Sequence, residues 1–217
     1  MSDTPRSVTR VAAGLGGDVL AVLTGALSAV RPAPKPLHPD GRLRLAVLHR
    51  DGLAEPVGVP LLDGPGPVPV LARESRAVGL PAPLPDVHGL ALRTTRADGR
   101  PADLLLASTG TGPVTRFVLT VGRTPYARPM TTLLPYRSSA GPLVLGVVAR
   151  GEHELELRCA VAAGAWQRVG TLALGEPAPD QEISFDPVVH RPEGLEQYGW
   201  VLRLREPAYA RARASRD

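Results

Sequence analysis

His153-Glu-Leu-Glu-Leu-Arg-Cys-Ala-Val161 decides the fold. Leu155, Leu157, Cys159 and Val161 fall on one side of a two-residue period, and Glu154, Glu156 and Arg158 fall on the other. Strict alternation of this kind marks a strand with one face in a core and one in water. Seven further short apolar runs surround it: Arg42–His49, Val68–Arg73, His88–Thr95, Asp103–Ala107, Thr115–Val121, Leu143–Arg150 and Gln167–Leu174. Turn signals such as Arg50-Asp51-Gly52 and Ala97-Asp98-Gly99 separate them and predict hairpins. Eight locally connected strands predict a meandering antiparallel barrel, which removes exposed edges by closing on itself. The longest interruption, Gly122–Gly141, carries Tyr126 and Tyr136 and is expected to cover one mouth.

Composition narrows the rest. The chain has 217 residues, 43% hydrophobic and 21% charged, which suits one soluble domain with extensions. Only 4% is aromatic, so the core must be built from Leu, Val and Ala. The 24 prolines and 23 glycines favour turns and short strands over long helices. The formal charge is +4, and Lys35 is the only lysine. The arginines are dispersed and few aromatics exist for base stacking, so the pattern does not suit nucleic acid. A single cysteine, Cys159, excludes an internal disulfide and a cysteine-based zinc site, and fits a reducing, cytoplasmic compartment.

Residues 11–30 are apolar, but Asp18, Gly14, Gly16 and Gly17 interrupt them. Val11, Leu15, Val19, Val22, Leu23 and Leu27 recur at helical spacing, which predicts an amphipathic helix. The expected organisation is therefore an N-terminal helix with a Pro-rich connector over 1–36, then a barrel domain over 37–217 ending in a short C-terminal helix.

Several residues have chemistry to offer. Arg205 precedes Tyr209 by four, which places both on one helix face. A guanidinium beside a phenol favours the phenolate, a hard ligand for ferric iron. An ordinary surface pair would have the same spacing. His38, in His38-Pro-Asp-Gly41, suits general acid–base work near neutral pH, or is simply solvated beside a turn. Arg73 and Ser75, in Arg73-Glu-Ser75-Arg76, offer a cation and a hydroxyl to an anionic ligand, or form a solvated turn. His49, His88, His153 and His190 show no metal-site spacing.

Taken in order, these segments resemble the catalase superfamily, especially its small, divergent bacterial members. His38-x-x-Gly41 resembles the distal-histidine motif that opens the first barrel strand, and Arg73-x-Ser75 is similar to the Arg-Phe-Ser segment of the second. Asp86-Val-His-Gly89-Leu-Ala-Leu-Arg93 and Asp98-Gly99 followed by Asp103-Leu104-Leu105 resemble the stretches that come next. Phe185-Asp186-Pro187 and Arg205-x-x-x-Tyr209 are similar to the approach to the proximal haem tyrosine.

The resemblance implies an eight-stranded catalase-type barrel binding haem b, with Tyr209 on the iron and Arg205 as its partner. Arg73 would hold a propionate, His38 would shuttle a proton and Ser75 would hydrogen-bond near His38. Peroxide and a small organic donor are the implied substrates. The chain contains no asparagine, so the distal asparagine of catalases is missing. Ala107 and Ser108 fall where it would lie, and Ser108 offers one hydroxyl instead. Peroxidase-like oxidation with weak or no catalase activity is therefore expected. The rivals are a haem-free barrel holding a small apolar ligand, and an interaction protein whose arginine-rich tail and 11–30 helix meet an anionic membrane surface.

Overall fold

The computed structural model describes residues 41–77, 83–179 and 183–203. The expected 11–30 helix, His38, Arg205 and Tyr209 lie outside the described residues. All described residues belong to one unit, Pro32–Asp217.

Alternation becomes a closed wall. The strands are β1 (Arg42–Arg50), β2 (Gly66–Arg76), β3 (His88–Thr95), β4 (Pro101–Ser108), β5 (Met130–Thr131), β6 (Tyr136–Ser138), β7 (Gly141–Ala149), β8 (Glu154–Val161), β9 (Gln167–Pro177) and β10 (Glu196–Gln197). Antiparallel pairing runs β7-β5-β4-β3-β2-β1-β9-β8, and β8 pairs back to β7. The result is the expected eight-stranded antiparallel barrel, with β6 and β10 continuing the sheet beyond β7.

Burial follows the period of two. Ala46 and Leu48 of β1, Val70 and Ala72 of β2, Leu90 and Leu92 of β3, and Leu104 and Leu106 of β4 point into the barrel. Leu155, Leu157 and Cys159 of β8 join them, each no more than 1% exposed. Glu156 points outward between Arg150 and Arg158. Burial opposes its charge, but hydrogen bonds from the two arginines overcome that and hold its carboxyl below the ordinary value.

Each mouth is closed by its own loop. After β1, the short helix α1 (Pro60–Asp63) starts at a proline and inserts Leu62 into the core. The Asp63 carboxylate accepts from the Val57 and Val59 amides at 2.8 and 2.9 Å, fixing that loop. At the other mouth Tyr126 packs against the core and donates to Glu74 at 2.7 Å, so the segment expected to cover an opening does so.

The fifth strand differs from expectation. Thr115–Val121 forms no strand; Thr115–Phe117 is a 3-10 turn. Arg116 explains why. It is 2% exposed, donates to the carbonyls of Gly112, Ala162 and Gly164, and stacks 4.5 Å from the Trp166 ring. Its turn geometry serves the β8–β9 hairpin, and the barrel is completed by two-residue β5 from the supposed interruption. One consequence is that β5 pairs only with Ala107 and Ser108 of β4. Farther along β4, the Asp103 amide donates instead to the carbonyl of His190 at 2.7 Å.

Among the described residues, no helix is long and apolar enough to cross a membrane. Residues 199–203 are helical, and Val201 is buried there.

Candidate functional site

Arg73 and Ser75 are strand residues, because β2 runs on to Arg76. Their neighbours Val70 and Ala72 face the core, so the period of two turns Leu71, Arg73 and Ser75 outward. Register then sets their surroundings. Leu43, Arg73, Ala91 and Leu105 lie abreast across β1 to β4. Ser75, Gly89 and Ala107 form the next row on the same face. On the other side come Leu45, Leu71, Arg93 and Asp103. Gly89, Ala91 and Ala107 therefore give a low floor, with a cation and a hydroxyl at its border.

Two glycines shape this border. A Cβ at Gly89 would meet Ser75 Oγ at 2.7 Å, so the hydroxyl leans over the missing side chain. A Cβ at Gly41 would meet Arg73 Nη2 at 2.6 Å, so the guanidinium folds back over the start of β1. The ladder between β1 and β2 ends with Arg42 opposite Glu74. The glycine of His38-x-x-Gly41 thus meets the arginine of Arg73-x-Ser75. Burial lowers the pKa of Arg73, as expected for a cation drawn partly out of water.

Leu45 and Val47, 55% and 36% exposed, leave apolar surface open along the same outer side. The barrel interior, by contrast, is filled by leucines and valines.

Ser108 does not replace an asparagine on this face. It is 1% exposed and turned inward, where its Oγ donates to the Thr120 carbonyl at 2.6 Å and accepts from the His88 amide at 3.1 Å. The outward position belongs to Ala107, which has only a methyl group. His88 is likewise internal, with Nε2 at 3.1 Å from the Gly122 carbonyl oxygen. Among the described residues, no three His, Cys, Asp or Glu side chains gather as metal ligands.

A cluster that the sequence did not reveal borders the face. Arg93 donates to both carboxylate oxygens of Asp103, at 2.7 and 2.6 Å, and to the Ser184 carbonyl at 2.6 Å. The Phe185 ring centroid lies 5.0 Å from its guanidinium carbon. Asp103 also accepts from the Asp186 amide at 2.8 Å and lies 3.1 Å from His190 Nδ1. Phe185-Asp186-Pro187 is thereby fastened to β3 and β4 beside the small-residue floor. The sequence signal was the presence of these residues in separate segments; their contact depends on tertiary folding.

The structure is similar to catalase A from Saccharomyces cerevisiae, with TM-score 0.62 and 11% identity over 87% of this chain and 62% of that one. A fungal catalase matches with TM-score 0.56 and 11% identity, over 81% and 57% of the two chains. A bacterial catalase matches with TM-score 0.54 and 11% identity, over 94% and 61%. The chain spans less than two thirds of each of these structures. No protein-family model and no curated protein matches its sequence. At this identity the likeness is one of fold: the chain has a catalase-like barrel.

Proposed function

We propose that the chain binds haem b on the outer face of β1–β4 and oxidises small donors with peroxide, with weak or no catalase activity. The observation that carries this reading is Arg73, folded over Gly41, and Ser75, leaning over Gly89, at the border of the floor of Gly89, Ala91 and Ala107. The donor set suits the group: a flat apolar macrocycle needs low side chains beneath it, and its carboxylates need a cation at the edge.

Arg73 would hold a propionate, and partial burial strengthens such a pair by weakening competition from water. Tyr209 would supply a phenolate to the iron, kept ionised by Arg205. Haem, when bound, supplies the redox chemistry with peroxide. His38 would accept a proton from one peroxide oxygen and return it to the other, a role typically worth ~10²–10⁴-fold. Ser75 Oγ would orient that imidazole from the next position on the sheet. Ala107 offers no hydrogen bond where a polar side chain would help to place a second peroxide, which favours donor oxidation over dismutation.

Haem titration tests the reading. A Soret band at one haem per chain, lost in Tyr209→Phe, is expected; a colourless wild type after haem supplementation would overturn it. At matched haem occupancy, His38→Ala should slow donor oxidation, and rapid oxygen evolution by the wild type would contradict the weak catalase activity. The second reading, a haem-free interaction module, is favoured by exposed Leu45 and Val47. A ligand inside the barrel fits poorly with its packed core.

A further inference from the structure

We infer that Tyr126 and Glu74 are positioning residues: the Tyr126 phenol holds Glu74 inside the barrel mouth, and Glu74 in turn keeps Arg73 and Ser75 on the outer face. The inference rests on the haem reading for its purpose, since Arg73 is given a propionate there, but its mechanical content stands apart from haem.

Among the described residues, the end of β2 is paired on one side. Its ladder with β1 stops at Arg42 opposite Glu74, whereas its ladder with β3 continues through Ser75 and Arg76. The period of two couples neighbours here: with Ala72 and Glu74 turned inward, Arg73 and Ser75 must face outward. A carboxylate in a barrel mouth moves to water unless partners hold it. Glu74 has two. Tyr126 Oη donates to its Oε1 at 2.7 Å, and Arg44 Nε lies 3.9 Å from the same oxygen. Arg44 is itself fixed by donating to the Gly175 carbonyl at 2.8 Å.

Tyr126 reaches Glu74 under strain. Its φ of 62° puts a bulky residue in the left-handed region, which glycine would occupy freely. The base of its loop is fastened separately. Gly122 exchanges two backbone bonds with Asp86, both 2.9 Å, and its carbonyl oxygen lies 3.1 Å from His88 Nε2. The strained residue is thus the tip of a strap with a fixed base, and its hydroxyl meets the residue between Arg73 and Ser75. Burial, and secondarily the bond to Glu74, raises the phenol's pKa, so it remains a donor well into the alkaline range.

Haem-free protein provides the deciding test, read by hydrogen exchange and by the NMR signals of Arg73 Nε–H and the Gly41 amide. Tyr126→Phe should accelerate exchange over 73–76 by about fivefold, the effect of one net hydrogen bond, and shift both signals while β7–β9 stay unchanged. Glu74→Ala should do the same, and Glu74→Gln, which keeps an acceptor oxygen, should largely preserve the parent pattern. Tyr126→Gly suits the left-handed backbone, so added p-cresol should restore slow exchange in it and toluene should not. This pair of probes also serves if Tyr126→Phe fails to fold. Unchanged exchange and signals in Tyr126→Phe, equal restoration by toluene, or acceleration spread evenly through the barrel would overturn the inference. Haem titration reports separately: Tyr126→Phe should bind about threefold more weakly than the wild type, and equal affinity would also overturn the inference. If the wild type binds no haem while the exchange pattern holds, the functional reading fails and the positioning role survives.

Discussion

Gly41 and Gly170 both lack room for a methyl group, but the obstacle differs. At Gly41 it is the end of the Arg73 side chain, which can swing aside. At Gly170 it is the β1 backbone, with Arg50 Cα 2.8 Å from the would-be Cβ, and a paired strand cannot move alone. Gly41→Ala should therefore change stability by about 0.5 kcal/mol or less while weakening haem binding through Arg73, whereas Gly170→Ala should cost about 3 kcal/mol. Urea denaturation beside haem titration separates the two effects. Cys159 has its own pH signature. Burial, and secondarily Asp63, pushes its thiol up to about 11 from 9.0. The stability gained by keeping it neutral is complete below about pH 9 and is lost as pH rises toward 11, by about 3 kcal/mol. Cys159→Ala should flatten the fall in unfolding free energy over that window. Native protein should also react with thiol reagents far more slowly than unfolded protein at pH 8.

At the scale of the element, the strands that were legible are those whose alternation records a wall between core and water. His88–Thr95 fits this rule closely, and in Glu154–Val161 the inward Leu155, Leu157 and Cys159 follow it while Glu156 and Ala160 on the other face are buried as well. The stretch from Thr115 imitates it, because Val118 and Val121 mix with polar neighbours in strand-like fashion. What overrules the pattern is distant: Arg116 binds carbonyls more than forty residues away, which no local period encodes. Met130–Thr131 is too short to display any period. Arg116→Ala should leave the Ala162 and Gly164 carbonyls without this donor and uncover Trp166, costing about 3 kcal/mol. Chemical denaturation measures the loss. A red-shifted Trp166 emission, read in a Trp200→Phe background, would locate it in the hairpin.

Over the whole molecule, the core is complete without any cofactor. Leu145, Leu155, Leu157 and Leu172 are all buried inside the barrel, whereas the small-residue floor lies outside it. Haem-free protein should thus unfold cooperatively, and haem at one hundred times its dissociation constant should add only about 2.7 kcal/mol. Leu157→Ala, by contrast, should cost about 3 kcal/mol whether or not haem is present. Calorimetry of both forms distinguishes these contributions. The candidate site was legible only as scattered pieces: Arg73 and Ser75 could be singled out by residue type, but their shared outward face required the register. Ser108 was misread for the same reason, since a shift of one position along β4 reverses the face. The Arg93–Asp103 pair stayed hidden because Ser184 and Phe185, which make sense of it, arrive some eighty residues after Asp103.

The brevity of β5 has a consequence for how the chain may be shortened. Where β5 ends, the edge of β4 is attended by residues from the 183–203 segment, with the Asp103 amide bound to His190. A version ending at residue 179 would keep nine of the ten strands, yet expose that edge to any passing chain. Unattended edges recruit further strands. Such a version should form soluble oligomers or precipitate at concentrations where the intact chain elutes as a single species on size exclusion.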